Sequence, residues 1–150
     1  MSAPEPIRDL VVNRKARHEY TLTDHFEAGL VLLGSEVKSL RAGQGNLQEA
    51  YVRLKNGEAW LMNCHISPFE QANRNNHEPL RPRKLLLNRP EISKLEKAVG
   101  QKGMTIVAKR LYLKGRRIKL EIALGKGKKL HDKRQTMKAR DAKRDMERRR

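Results

Sequence analysis

Ile106-Val107-Ala108-Lys109-Arg110-Leu111-Tyr112-Leu113 and Ile118-Lys119-Leu120-Glu121-Ile122-Ala123-Leu124 flank a turn containing Gly115, and this pair of runs decides the fold class. In the second run Ile118, Leu120, Ile122 and Leu124 alternate with Lys119, Glu121 and Ala123, the period of two that buries one face of a strand and wets the other. Two such runs across a glycine turn predict a β-hairpin.

Working outward, Tyr51-Val52-Arg53-Leu54 and Ala59-Trp60-Leu61-Met62 flank Lys55-Asn56-Gly57-Glu58, whose Asn-Gly pair is a strong hairpin signal. Tyr20-Thr21-Leu22 and Leu30-Val31-Leu32-Leu33 are also β-prone, and Tyr51 and Trp60 are expected to fill the core, with stacking on a base the alternative for Trp60. Two short helices interrupt the strands. Ser35 ahead of residues 36–41, with Gly43 behind, reads as an N-capped helix. Asn88 ahead of Pro90 and Glu91 opens a second, with Ile92, Leu95, Ala98 and Val99 on one face and Gly100 or Gly103 as its end. Residues 67–83 hold three Pro and four Asn or Gln and read as a loop. The expected fold is mainly β: a small OB-like closed barrel over residues 13–124, with two or three short helices, a flexible arm at 1–12 and a basic tail at 125–150.

Across 150 residues, 34 Lys or Arg face 17 Asp or Glu, a formal net charge of +17 that points to a polyanionic partner. The excess is uneven: residues 125–150 carry +8 and the preceding 124 carry +9. The tail has no core-facing stripe, because Met137 and Met146 fall on opposite sides of a helix. It is nevertheless rich in helix formers, with Asp141/Arg144 and Asp145/Arg149 at helical spacing. It reads either as a segment disordered alone and helical on a phosphate-rich surface, or as a solvated charge run. No apolar run is long enough to span a membrane, the first residues lack a secretion pattern, and the lone Cys64 forms no internal disulfide, so a cytoplasmic protein is expected.

Metal and nucleotide-hydrolysis motifs are missing: none of the five His pairs with another His or a Cys at helical spacing, and no Cys-x-x-Cys or phosphate-cradling glycine loop occurs. Neither a cofactor nor a catalytic role is expected, although a pair distant in sequence, such as His18 with Glu27, stays open. RNA binding has more support. In Asn13-Arg14-Lys15-Ala16-Arg17-His18-Glu19-Tyr20 the cations suit phosphates, the His and Tyr rings suit stacking on unpaired bases, and the Asn amide suits a base edge. Tyr20 reads equally as a strand residue of the core. Lys38, Arg41 and Lys119 offer cations that read as RNA contacts or as plain surface, while Glu27 reads either as a surface acid at a hairpin end or as a residue that accepts from base N–H donors or orients an Arg.

These blocks, together with Phe26-Glu27-Ala28-Gly29, Glu36-Val37-Lys38-Ser39-Leu40-Arg41-Ala42-Gly43, Arg83-Lys84-Leu85-Leu86-Leu87-Asn88 and Gly127-Lys128-Lys129-Leu130-His131-Asp132-Lys133-Arg134, resemble the SsrA-binding protein family (small protein B) of bacterial trans-translation over nearly the whole chain. The resemblance implies an OB-like body that binds the tRNA-like domain of transfer-messenger RNA (tmRNA, SsrA RNA). It also implies delivery of that RNA, with elongation factor Tu, to stalled 70S ribosomes. On it, Asn13, Arg14, Arg17, His18, Tyr20, Glu27, Lys38, Arg41 and Lys119 face tmRNA. Lys128, Lys129, His131, Asp132, Lys133, Arg134, Lys138, Arg140, Lys143 and Arg144 line the decoding centre and the empty mRNA path, chiefly against small-subunit rRNA. Gly125 and Gly127 are expected to be flexible positions ahead of that tail, and the protein to act as a monomer. The alternative is a general RNA chaperone or an rRNA-binding protein of the ribosome.

Overall fold

The hairpin expected from the alternating run forms, with nine registered pairs. The computed structural model describes residues 6–69 and 76–127. Strands β8 (Thr105–Lys114) and β9 (Arg117–Gly127) are antiparallel from Thr105↔Gly125 to Lys114↔Arg117, with Gly115 at φ +59° in the turn. Ile118, Leu120, Ile122 and Leu124 are buried, as their alternation requires. The Asn-Gly hairpin also forms: β4 (Tyr51–Lys55) pairs β5 (Glu58–Met62), with Asn56 and Gly57 at φ +53° and +73°, the twist a two-residue turn needs.

Pairing then closes on itself. The strand order β8-β4-β5-β7-β2-β9 returns to β8 through the β8–β9 ladder, where β2 is Tyr20–Leu30 and β7 is Arg83–Leu86. The mainly β, closed arrangement expected from the sequence thus takes the form of a ring of hydrogen-bonded antiparallel strands. Its thinnest join is β4 to β8, with Tyr51↔Val107 as the only registered pair. A small second sheet pairs β3 (Gly45–Asn46) with β6 (His65–Ile66). Inside the ring lie Leu61, Leu85, Leu111, Leu120 and Ile122, joined by Leu40, Leu47, Ile66 and Leu95.

Three helices complete the described chain: α1 (Lys15–Glu19), α2 (Gly34–Arg41) and α3 (Arg89–Lys102). In α3, Asn88 is the cap residue, Pro90 stands in the first turn, Glu91 accepts from the Asn88 N–H at 2.9 Å, and Gly103 ends the helix at φ +63°. Leu95 and Ala98 are its buried face. Among the described residues no helix is long and apolar enough to cross a membrane.

Several expectations are corrected. The flexible arm at 1–12 is a strand over β1 (Ile7–Val12), because β8 outruns β4 and offers Arg110–Lys114 as a free edge for it. Tyr51 is not core: its position on the wet side of β4 leaves it 42% exposed, and Trp60 is half-buried. The apolar run 30–33 is no strand beyond Leu30, since Val31 and Leu33 are exposed on the approach to α2. Leu33, not Ser35, occupies the cap position of α2. Finally, Gly125 and Gly127 are not flexible spacers, for β9 runs through both and Gly127 pairs Tyr20. A Cβ on Gly125 would sit 2.7 Å from Val107 Cγ2 and 3.2 Å from Tyr20 Cβ, so glycine is required there by close packing.

Candidate nucleic-acid interface

Alternation along β2, β9 and β8 sends Glu27, Glu121, Lys119, Arg110, Tyr112 and Lys114 to one outer face, where their register puts them side by side. Glu27 is the hub. The Tyr112 hydroxyl donates to its carboxylate, and Lys114 Nζ stands 3.3 Å from Oε1. The Tyr112 hydrogen bond, helped by Lys114 and Lys119 and opposed by partial burial, holds the Glu27 carboxyl below its usual range. Burial, reinforced by the bond to Glu27, pushes the Tyr112 phenol up, so it stays a donor at neutral pH. Arg110 stacks on the Tyr112 ring at 4.5 Å and pairs with Asp9 at 2.5 Å and Glu121 at 3.3 Å. The result is an ionised carboxylate with fixed orientation and spare lone pairs, which suits base N–H donors and not phosphate.

Glu27 and Lys119 share the lining of a cleft of about 520 Å³ with Leu86 and Lys84. Leu86 is 53% exposed beside Gly29, where a Cβ would lie 3.2 Å from Leu86 Cβ. Sequence reading assigned Leu86 no role. The available signal was the β7 alternation, in which Arg83 and Leu85 are buried and Leu86 must therefore face out.

The remaining sequence-derived candidates gather elsewhere. Asn13 directs its amide inward, donating to Ala108 O at 2.9 Å and Leu47 O at 3.2 Å, while its Oδ1 is buried without a partner among the described residues. Its donors are therefore occupied in holding the entry to α1. Arg14 and Lys15 are exposed beside Gly45 and Asn46, and His18 is exposed on α1. Arg17 belongs to α1, its side chain lying outside the described residues. Tyr20 is half-buried against Gly125 at the far end of β2 from the Glu27 cleft. Lys38 and Arg41 are exposed near the end of α2, the Lys38 ammonium 5.8 Å from the Phe69 ring. The tail candidates from Lys128 to Arg144 lie outside the described residues.

A second carboxylate escaped sequence reading as a special residue. Glu36 and Arg83 are both fully buried. Arg83 Nε donates to Glu36 Oε2 at 2.6 Å, Arg81 Nη2 to Oε1 at 2.5 Å, and the Leu33 N–H to Oε1 at 2.8 Å. The rest of the Arg83 fork reaches Cys64 O at 2.5 Å and Pro79 O at 3.2 Å. Burial alone would raise the Glu36 carboxyl, but the donors from Arg81, Leu33 and Arg83 outweigh it and hold it below its usual range. Cys64, fully buried next to this pair, has its thiol pushed up to about 11 by burial and is no nucleophile. Among the described residues no cluster of three His, Cys, Asp or Glu could hold a metal, and no hydrogen bond joins Glu27 to His18.

Fold and surface together define a small basic protein built on a closed ring of antiparallel strands, with an ordered polar face and cationic clefts. The family model described as SmpB protein matches residues 10–150, and the chain belongs to that family. Among similar proteins, the SsrA-binding protein of Symbiobacterium thermophilum is 56% identical over 147 residues, covering 97% of this chain and 93% of the relative. That of Thermosynechococcus vestitus is 56% identical over 145 residues, covering 96% and 95%. A solved structure presented as "tmRNA-SmpB: a journey to the center of the bacterial ribosome" is 40% identical with a TM-score of 0.65, covering 84% of this chain and 85% of that one.

Proposed function

We propose that this protein binds the tRNA-like domain of tmRNA and delivers it, with elongation factor Tu, to stalled ribosomes for trans-translation. The observation that carries the reading is the outward trio of Glu27, Leu86 and Lys119, set by Tyr112 and Lys114, on a chain 56% identical to SsrA-binding proteins over almost its full length. A carboxylate fixed by its own neighbours reads base donors, an exposed leucine packs against sugar or base, and Lys119 meets phosphate; together they discriminate a folded RNA from a generic polyanion. Asn13 serves by shaping the α1 entry, while Arg14, Arg17, His18, Tyr20, Lys38 and Arg41 extend the RNA-facing set. The tail, from Lys128 to Arg144, supplies cations to the decoding centre and vacant mRNA path; about 20 residues from Leu130 would reach roughly 30 Å as a helix. With six to ten phosphate contacts, affinity falls by about three to five orders of magnitude between about 50 and 200 mM salt.

The test is to sequence the RNA recovered with the tagged protein from cells. One dominant small RNA carrying a tRNA-like end is expected. A broad mixture of structured RNAs in proportion to their abundance would replace this reading with that of a general RNA chaperone.

A further inference from the structure

Two clefts adjoin on the part of the molecule that carries the start of α1, the end of α2 and the β3–β6 pair. One of about 910 Å³ is lined by residues 42–46, His65 and residues 67–69; the other, about 310 Å³, by residues 11–15 and 45–48. Gly45 and Asn46 belong to both linings, so the two clefts adjoin at β3 and together make a trough. The Gly45 backbone is pressed onto the core: a Cβ there would stand 2.8 Å from Leu40 Cδ2 and 3.0 Å from Val11 Cγ2. None of the trough-lining residues is Glu27, Leu86 or Lys119.

The walls carry three kinds of chemistry. Phe69 is half-buried, and Asn76 clamps its backbone from both sides, its Oδ1 accepting the Phe69 N–H at 3.0 Å and its Nδ2 donating to Phe69 O at 2.8 Å. Asn46 and His65 are register partners and both exposed. Asn46 Oδ1 accepts the Gln48 N–H at 2.7 Å, which fixes the amide and leaves its Nδ2 as a donor without a partner among the described residues. Arg14 and Lys15 line the smaller cleft, and neither forms an ion pair among the described residues.

We propose that this trough is a second RNA site, one that takes unpaired nucleotides: a base stacks on Phe69, its edge meets Asn46 and His65, and its phosphates lie on Arg14 and Lys15. The inference rests on the RNA-binding reading above and shares Arg14 with it, but it names a surface that excludes the Glu27, Leu86 and Lys119 trio and a different RNA element. An aromatic ring, a fixed amide and nearby cations are the combination that single strands require, since their bases are free to splay and stack. The larger cleft falls within the 300–1,000 Å³ of sites that enclose small ligands, a size for a nucleotide and not for a duplex.

The test uses the full-length protein at about 150 mM salt and an RNA tetranucleotide carrying 2-aminopurine. Wild-type protein should quench the fluorescence, and Phe69→Leu, which keeps an apolar side chain, should bind about five- to a hundredfold more weakly. In parallel, amide NMR shifts on adding the tetranucleotide should centre on Asn46, His65 and Phe69 and not on the Glu27 strand. Equal affinity and quenching in Phe69→Leu, or shifts confined to the Glu27 face or to the tail, would overturn the proposal. Binding of wild-type protein to an isolated tRNA-like domain is measured beside it; its failure would defeat the functional reading of the Glu27 face, while the tetranucleotide still decides the trough.

Discussion

Glu36 and Glu27 are the same residue type nine positions apart, both held as carboxylates below their usual range, yet the molecule uses them oppositely. Glu36 is fully buried at the start of α2, and its two oxygens are taken by Arg83, Arg81 and a backbone N–H. Nothing of it is left to bind a partner. Glu27 is 39% exposed at its side chain and is steered by one phenol and one ammonium, which leave acceptor capacity facing outward. Donor saturation separates a carboxylate that fixes a fold from one that reads a ligand, and the pKa direction alone does not.

The sharpest way to break this comparison is Arg83→Met. Met keeps the bulk but leaves Glu36 with only Arg81 and the Leu33 N–H, and leaves Cys64 O and Pro79 O short of a donor. We expect a loss of about 3–5 kcal/mol in urea unfolding, the cost of removing one partner of a buried pair. A loss below about 1 kcal/mol would mean that Glu36 is no more structural than Glu27.

Next in size is the acid limb. Because the folded-state Glu36 carboxyl is depressed, its contribution is complete above the ordinary carboxyl value of 4.5 and is lost as pH falls through the lower folded-state value. Melting temperatures followed downward from pH 7 should therefore fall less steeply in Glu36→Gln than in wild type, from a lower starting point. Parallel curves would remove the ion pair from the account of acid stability. The smallest stability effect belongs to Tyr112→Phe, which removes only the hydroxyl that steers Glu27. We expect less than about 1 kcal/mol by urea melting, given the partial exposure of its partner. Affinity for the tRNA-like RNA should nonetheless fall about fivefold or more, with a higher Glu27 carboxyl pKa by NMR. A stability loss matching that of Arg83→Met would erase the distinction between the two sites.

What was legible in the chain was whatever local pattern dictates. The period of two in residues 118–124, the Asn56-Gly57 turn and the Asn88 to Gly103 signals of α3 all appear in the structure because backbone geometry decides them within a few residues. The Glu27 and Lys119 candidates share one cleft lining. What stayed hidden depends on partners far along the chain. Arg83 and Glu36 look like surface charges until a separation of 47 residues is closed, and Asn13 looks like a free amide until Leu47 and Ala108 arrive beneath it. Tyr51 has strand propensity that says nothing about which side of its strand is wet, and Leu86 is visible only once the register of β7 is known.

The tight seat of Gly125 against Val107 and Tyr20 has a consequence for reach. Gly127, the last described residue, is anchored opposite Tyr20. The 23 residues that follow are therefore tethered at one surveyed point and span at most about 80 Å when drawn straight. Whatever residues 128–150 touch must lie within that radius of Gly127, so docking the body also bounds where those cations can go.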